Sequence, residues 1–96
     1  VSEYPSSLRD LSFSITDYSK ASELQSTVFS FKDKILKDIF IFDYFNNQKK
    51  HEIKIGFRFI FQSKDKTITV DQVDNIMQDI IKVCLNIKSV SIPGLE

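Results

Sequence analysis

The 96-residue sequence has the length of one small domain, and 42% of its residues are hydrophobic, which is enough for a core of its own. Thirteen basic and thirteen acidic residues give a formal net charge of zero, so no overall field draws the chain to nucleic acid or membrane. The single Cys84 excludes an internal disulfide framework, and no apolar run has the length of a membrane span or a secretory signal. Because the first residue is Val1, we expect residues 1–96 to be one domain of a longer chain.

The first predicted elements are a strand and a helix. After a lead-in containing Pro5, which cannot donate to a sheet, apolar and polar residues alternate from Arg9 onward. This pattern predicts a half-buried strand whose inward residues are Leu11, Phe13 and Ile15. Ser19 is the expected cap of a first helix over about 20–31. Its apolar stripe consists of Ala21, Leu24, Val28 and Phe31.

The middle of the chain predicts two strands joined by a turn. Residues 39–45 are mostly aromatic and β-branched, residues 46–50 are polar, and residues 53–62 alternate again. The inward set of this third strand is Ile53, Ile55, Phe57, Phe59 and Phe61.

The last third predicts a second helix and a short strand. Thr69 and Gln72 form a capping box that starts a helix over about 70–86. Its apolar stripe is Val73, Ile76, Met77, Ile80, Cys84 and Ile87. Residues 89–92 alternate as a final strand. The order strand–helix–strand–strand–helix–strand predicts an α+β, ferredoxin-like βαββαβ fold, in which a four-stranded antiparallel sheet carries both helices on one face.

The opposite face of that sheet, the open face, is then free for a ligand. The first strand contributes Asp10, Ser12 and Ser14, and the third contributes Lys54, Gly56, Arg58 and Ile60. The second strand is apolar on both sides, but burying Asp43 unpaired costs several kcal/mol, so Asp43 should point outward. We therefore expect Ile39, Ile41, Asp43 and Phe45 on the open face, with Phe40, Phe42 and Tyr44 inward. Asp43 and Lys54 should be exposed; the expected buried residues are Phe13, Phe42, Phe57, Phe59 and Ile80.

The open face predicted in this way offers an aromatic ring, a carboxylate, cations and a hydroxyl. Sheets of this kind stack the bases of single-stranded RNA and hydrogen-bond to their edges. A polar sheet face covered by another domain would have the same composition, so the pattern alone leaves both interpretations open.

Five sequence pieces, in order, resemble one family. They are Tyr4-Pro5, Arg9-Asp10-Leu11, Phe42-Asp43, the run from Ile55 to Phe61, and Lys66-Thr67-Ile68-Thr69 followed by Val73. Their order and spacing resemble the ferredoxin-fold anticodon-binding domain at the C-terminus of the phenylalanyl-tRNA synthetase beta subunit, of bacterial or plastid type. The resemblance covers about residues 4–92.

The resemblance implies that this domain holds the anticodon loop of phenylalanine tRNA and reads its first base, a guanine. The implied anticodon-binding residues are Asp43, Phe45, Ser12 and Lys54. Phe45 departs from the family, which often has Tyr there, and Lys54 is longer than the usual Ser. The resemblance further implies a non-catalytic domain without its own cofactor or metal. ATP and Mg²⁺ would act elsewhere in the enzyme, a heterotetramer formed with an alpha subunit.

Several residues keep two interpretations. Arg58 either contacts the RNA backbone or pairs with Asp43, and Lys49 and Lys50 either contact the RNA backbone or form a solvated turn. Arg9 and Asp10 either form an ion pair with each other at the edge of the fold or make a binding contact. The alternative function is a regulatory or protein-interaction module, which usually needs a glycine-rich loop or an apolar open face. The excess of Ile, Lys and Phe, residues with AT-rich codons, points to the cytoplasm of an AT-rich bacterium or to an organelle such as the plastid stroma. Because no apolar run is long enough to span a membrane, we expect no membrane partner.

Overall fold

A computed structural model describes residues 4–94 and contains the predicted elements in the predicted order. The strands are β1 (Ser7–Ile15), β2 (Leu36–Asn47), β3 (Glu52–Phe61) and β4 (Val90–Ser91). The helices are α1 (Ala21–Phe29), which follows a short 3₁₀ turn at Tyr18–Lys20, and α2 (Val70–Leu85). The strands form one sheet in the order β2-β3-β1-β4, and each neighbouring pair is antiparallel. The ferredoxin-like α+β fold is therefore confirmed.

One hydrophobic core joins the sheet to both helices. The inward residues of β1 and β3 pack with the apolar stripes of α1 and α2, and the side chains with no exposed surface include Phe13, Phe57, Phe59 and Ile80. Burying each such side chain contributes about 1.5–3 kcal/mol. The core is continuous within this chain, so we expect the 96 residues to fold as a unit.

The two helices begin differently. The capping box of α2 is confirmed, since the Gln72 N–H donates to the Thr69 hydroxyl at 3.1 Å and the Thr69 N–H donates to the Gln72 side chain at 2.8 Å. The prediction that Ser19 caps the first helix is wrong. Asp17 caps the preceding 3₁₀ turn, where it accepts the Ser19 N–H at 3.0 Å, and α1 itself begins after Lys20, whose side chain makes no capping hydrogen bond. In the part of the chain that the structure describes, no helix is long and apolar enough to cross a membrane.

The faces of β2 differ from the prediction in its first half. Ile39 and Ile41 pair with Phe59 and Phe57 and pack against the core, so their outward assignment is wrong. Phe40 and Phe42 were expected to be buried but are 37% and 42% exposed. The cause is an irregularity of register between Ile41 and Asp43, where Phe42 is the extra residue of a β-bulge.

Beyond this bulge the side-chain alternation changes phase. Asp43 pairs with Gly56 and Phe45 pairs with Lys54, so both lie on the open face as predicted. Tyr44 pairs with the buried Ile55 on the helix side, but it is 54% exposed on the edge strand. The bulge lets β2 bury two isoleucines and still present an exposed carboxylate.

Candidate nucleic-acid interface

The strand register brings the four predicted anticodon-binding residues into two adjacent rows of the open face. In the first row, Asp43 of β2 and Ser12 of β1 both pair with Gly56 of β3. In the second, Phe45 of β2 pairs with Lys54 of β3. All four are exposed, which confirms the predicted exposure of Asp43 and Lys54. Phe45 and Lys54 lie on adjacent strands, whereas Asp43 and Ser12 flank β3 and are two strand spacings, or about 10 Å, apart.

The Asp43 carboxylate is available to a ligand. Within residues 4–94, no side chain pairs with it or donates a hydrogen bond to it. An ionised carboxylate only accepts hydrogen bonds, so this position favours a ligand with donors. The Ser12 hydroxyl, on the far side of Gly56, can donate as well as accept. The open face thus offers an acceptor on one side of Gly56 and a versatile hydroxyl on the other.

Phe42 is a component of this face that the sequence analysis placed in the core. Its ring lies close over Gly56, since a Cβ at position 56 would stand 2.9 Å from the Phe42 Cζ atom and 3.3 Å from the Asp43 Cβ atom. The Arg58 guanidinium lies over the same ring, 4.8 Å from its centroid. A glycine within the strand opposite an aromatic run was the available signal, because only glycine permits such close approach.

Arg58 is held by Asp10. Its Nε and one terminal nitrogen donate to the two Asp10 carboxylate oxygens, each at 2.9 Å. The hydrogen bond lowers the pKa of Asp10 below its usual value and raises that of Arg58. The alternative in which Arg58 pairs with Asp43 is therefore wrong. So is a pair between Arg9 and Asp10, because the Arg9 guanidinium approaches Asp74 instead, at 4.0 Å.

The hairpin end of the face carries the remaining predicted contacts. Lys49 and Lys50 are exposed in the turn between β2 and β3, and Lys50 joins Lys54 at the rim of a shallow cavity of about 400 Å³. Ser14 and Glu52 line the same cavity and hydrogen-bond to each other. Ser14, expected outward, lies on the open side of the register but is only 5% exposed. The structure thus places three lysines together at this end.

The open face is acidic on balance. Four carboxylates (Asp10, Asp38, Asp43 and Glu52) and two cations (Lys54 and Arg58) lie on it, a formal charge of −2. One of those cations is already paired. The face therefore suits hydrogen bonding and stacking better than the binding of phosphates.

The cysteine and the histidine of this chain lie on separate elements. Cys84 is fully buried on α2, and burial raises the pKa of its thiol to about 11. His51 is exposed in the hairpin turn and contacts the Tyr18 ring at 6.5 Å between centroids. Among the described residues there is no cluster of three or more His, Cys, Asp or Glu side chains that would hold a metal ion.

Comparison with known proteins supplies independent information. The family described as "Ferredoxin-fold anticodon binding domain" matches residues 2–92. The phenylalanine–tRNA ligase beta subunit of Rickettsia prowazekii is 28% identical over 83 residues, covering 84% of this chain and 10% of that protein. The chloroplastic beta subunit of Pyropia yezoensis is 35% identical over 75 residues, covering 76% and 10% respectively. The chain thus spans about a tenth of the length of these relatives.

Proposed function

The chain belongs to the ferredoxin-fold anticodon-binding domain family, and we propose that it holds the anticodon loop of phenylalanine tRNA on its open face and reads the first base as guanine. The observation that supports this most strongly is the row formed by Asp43, Gly56 and Ser12, with an unpaired, exposed carboxylate at one end. The similar beta subunits belong to phenylalanine–tRNA ligases, which supports phenylalanine tRNA as the ligand.

The carboxylate of Asp43 explains a preference for guanine. Guanine presents an N1–H and an exocyclic N2–H side by side, and one carboxylate can accept both. Adenine has a lone pair at N1 and no donor at C2, so its corresponding edge would face the carboxylate with repulsion. A bidentate base contact of this kind contributes about 1–3 kcal/mol of discrimination.

Phe45 supplies stacking in the neighbouring row. Its ring is 54% exposed, and every base has a π-face, so stacking on Phe45 adds affinity without choosing between bases. Compared with a Tyr at this position, Phe45 keeps the aromatic ring but has no hydroxyl for a hydrogen bond. Lys54, beside Phe45 in the register, is long enough to reach a phosphate of the same RNA.

We place this chain in the beta subunit of a bacterial- or plastid-type phenylalanine–tRNA ligase, as its non-catalytic tRNA-binding part. Aminoacylation, with its ATP and Mg²⁺, belongs in this proposal to other parts of the ligase, and an alpha subunit is the expected partner in a heterotetramer. The AT-rich residue usage and the chloroplastic relative from Pyropia yezoensis support a bacterial cytoplasm or a plastid as the compartment.

A protein-interaction module is the second candidate. Four large apolar side chains are exposed on the open face: Leu8, Phe40, Phe42 and Phe45. An apolar sheet face is what such a module requires. If this face binds a second copy of the chain, the chain will dimerise without RNA.

Binding measurements on the purified chain separate the two candidates. We expect an anticodon stem-loop with guanine at its first position to bind more tightly than the same stem-loop with adenine. Phe45→Ala should weaken both by about 1–3 kcal/mol and leave most of the preference. Sedimentation without RNA should give a monomer, and free phenylalanine should not bind. Equal affinity for the two stem-loops would contradict base reading, and an RNA-independent dimer would favour the interaction module.

A further inference from the structure

A groove at the far end of the sheet, where β2 begins and β3 ends, is lined by lysines. It has a volume of about 1030 Å³, and its lysines are Lys34, Lys37, Lys64 and Lys66. We call it the lysine groove. Asp33 and Asp65 also line it, which leaves these six side chains with a formal charge of +2. It is the positive counterpart of the acidic open face.

The lysine ammonium groups are free for a ligand. All four lysines are exposed, and within residues 4–94 none of them forms an ion pair. Lys37 donates to the Gln62 side chain at 3.0 Å, which keeps its charge uncompensated. Asp33 is turned toward the backbone, where it accepts the Ile35 N–H at 3.1 Å.

The walls of the lysine groove are connected by the fold. The Gln62 N–H donates to the Ile35 carbonyl at 2.9 Å and joins the loop before β2 to the loop after β3. In the second loop, the Ser63 hydroxyl accepts the N–H groups of Asp65 and Lys66, at 3.1 and 3.4 Å. The lysines therefore project from a backbone that is already ordered, so anion binding restricts only their side chains.

We propose that the lysine groove binds the phosphate backbone of the RNA whose anticodon lies on the open face. This inference rests on the proposed function. An RNA on a face of charge −2 must find its counter-charges elsewhere, and lysines stand at both ends of the sheet: Lys49, Lys50 and Lys54 at the hairpin and the lysine groove opposite. Lysine ammonium groups bind phosphates as point charges without reading sequence.

The distance along the sheet suits a stem-loop. The reading site lies at Gly56 of β3, which pairs with Asp43, and the groove lies at the end of β3, where Phe61 pairs with Leu36. These two positions are five residues apart, or about 17 Å at 3.3–3.4 Å per residue. The groove lies at the end of the sheet, where Gln72, Asn75 and Ile76 of α2 also line it, and its distance along β3 from the reading site is within the span of one folded RNA. An acidic protein segment would satisfy the charge of the groove but has no such relation to the open face.

The test is a salt titration of stem-loop binding by the 96-residue chain. The variant is Lys64→Gln with Lys66→Gln, and its matched control is Lys82→Gln with Lys88→Gln, which removes the same charge outside the groove. If two phosphate contacts are lost, the slope of log affinity against log salt should fall by about 1.4, at 0.7 for each phosphate. This change in slope makes stem-loop binding by the groove variant about 25-fold weaker than that of wild type at 0.1 M salt and leaves it unchanged at 1 M. The guanine and adenine stem-loops should weaken by the same factor.

The results distinguish this inference from the proposed function. A groove variant that keeps the slope and affinity of its control overturns the groove as a backbone site, while a retained guanine preference leaves base reading intact. If the wild-type chain shows no preference for the guanine stem-loop, base reading is contradicted. A salt slope that is reduced only in the groove variant would still support the lysine groove as a backbone site. The last measurement is the binding of poly-glutamate to the wild-type chain and to the groove variant. If the groove variant loses poly-glutamate binding but not RNA binding, the groove serves an acidic protein segment and our inference is wrong.

Discussion

Gly56→Ala tests the packing that turns Asp43 outward. The new methyl group would lie 2.9 and 3.0 Å from the Cζ and Cε1 atoms of Phe42 and 3.3 Å from the Asp43 Cβ atom. The first two separations are shorter than carbon atoms tolerate, so the Phe42 ring must move. The ring sits at the outer end of a side chain that is 42% exposed, so it can swing away from Gly56, and doing so breaks its contact with Arg58.

The expected cost is a modest loss of stability. Overpacking costs about 1–3 kcal/mol in a closed core and less where a neighbour can move. Loss of the cation–π contact adds about 0.5–1 kcal/mol at an exposed site. The backbone of Gly56 lies outside the positive-φ region, so alanine also restricts the unfolded chain and returns about 0.4–1 kcal/mol. We expect the free energy of unfolding to fall by about 1 kcal/mol.

Urea denaturation followed by circular dichroism measures this cost, and a double-mutant cycle assigns it. With Phe42→Ala already present, the ring is gone and only the contact with Asp43 remains. Gly56→Ala should then cost close to nothing, a coupling of about 1 kcal/mol between the two positions. Costs that are the same in both backgrounds, within about 0.3 kcal/mol, would show that Phe42 does not pack over Gly56. The account of the bulge would then fail.

Two further predictions concern titratable groups. The folded-state pKa of Asp10 is lowered by its hydrogen bond from Arg58, so the ionised form stabilises the fold above the unfolded-state pKa of about 3.9. Asp10→Asn should be less stable than wild type at pH 7, and the difference should disappear as acid protonates Asp10; a constant difference down to pH 2 would contradict the pairing. Cys84, fully buried with a thiol pKa of about 11, should react with a thiol reagent at pH 8 at least about 100-fold more slowly in the native chain than in the unfolded chain, because burial both disfavours the thiolate and excludes the reagent. Equal rates would contradict its burial.

Features that depend on neighbouring residues were predictable from the sequence. The capping box of α2 needs only Thr69 and Gln72, and the alternation of β1 and β3 needs only one strand at a time. The cap was placed two residues late, at Ser19 and not at Asp17, because no local pattern indicated that a 3₁₀ turn precedes α1.

The second strand shows what the sequence could not provide. Its two sides are nearly equal in hydrophobicity, and the bulge at Phe42 depends on the missing side chain of Gly56 in another strand. A single phase imposed on the whole strand placed Ile39 and Ile41 wrongly. It still placed Asp43 and Phe45 correctly, because the cost of burying a carboxylate decides the second half of the strand. The pairing of Arg58 with Asp10 likewise became visible only with the strand register.

The guanine preference of Asp43→Ala shows whether this carboxylate reads the base. The measurement is the ratio of affinities for two anticodon stem-loops that differ only in guanine or adenine at the first position. Asp38→Ala is the matched control, because it removes one exposed carboxylate from the same face and changes the net charge equally. We expect a ratio of about 5 to 150 in wild type and in Asp38→Ala, which corresponds to 1–3 kcal/mol. The ratio should fall to about 1 in Asp43→Ala. An Asp43→Ala chain that keeps the wild-type ratio would show that this carboxylate does not read the base.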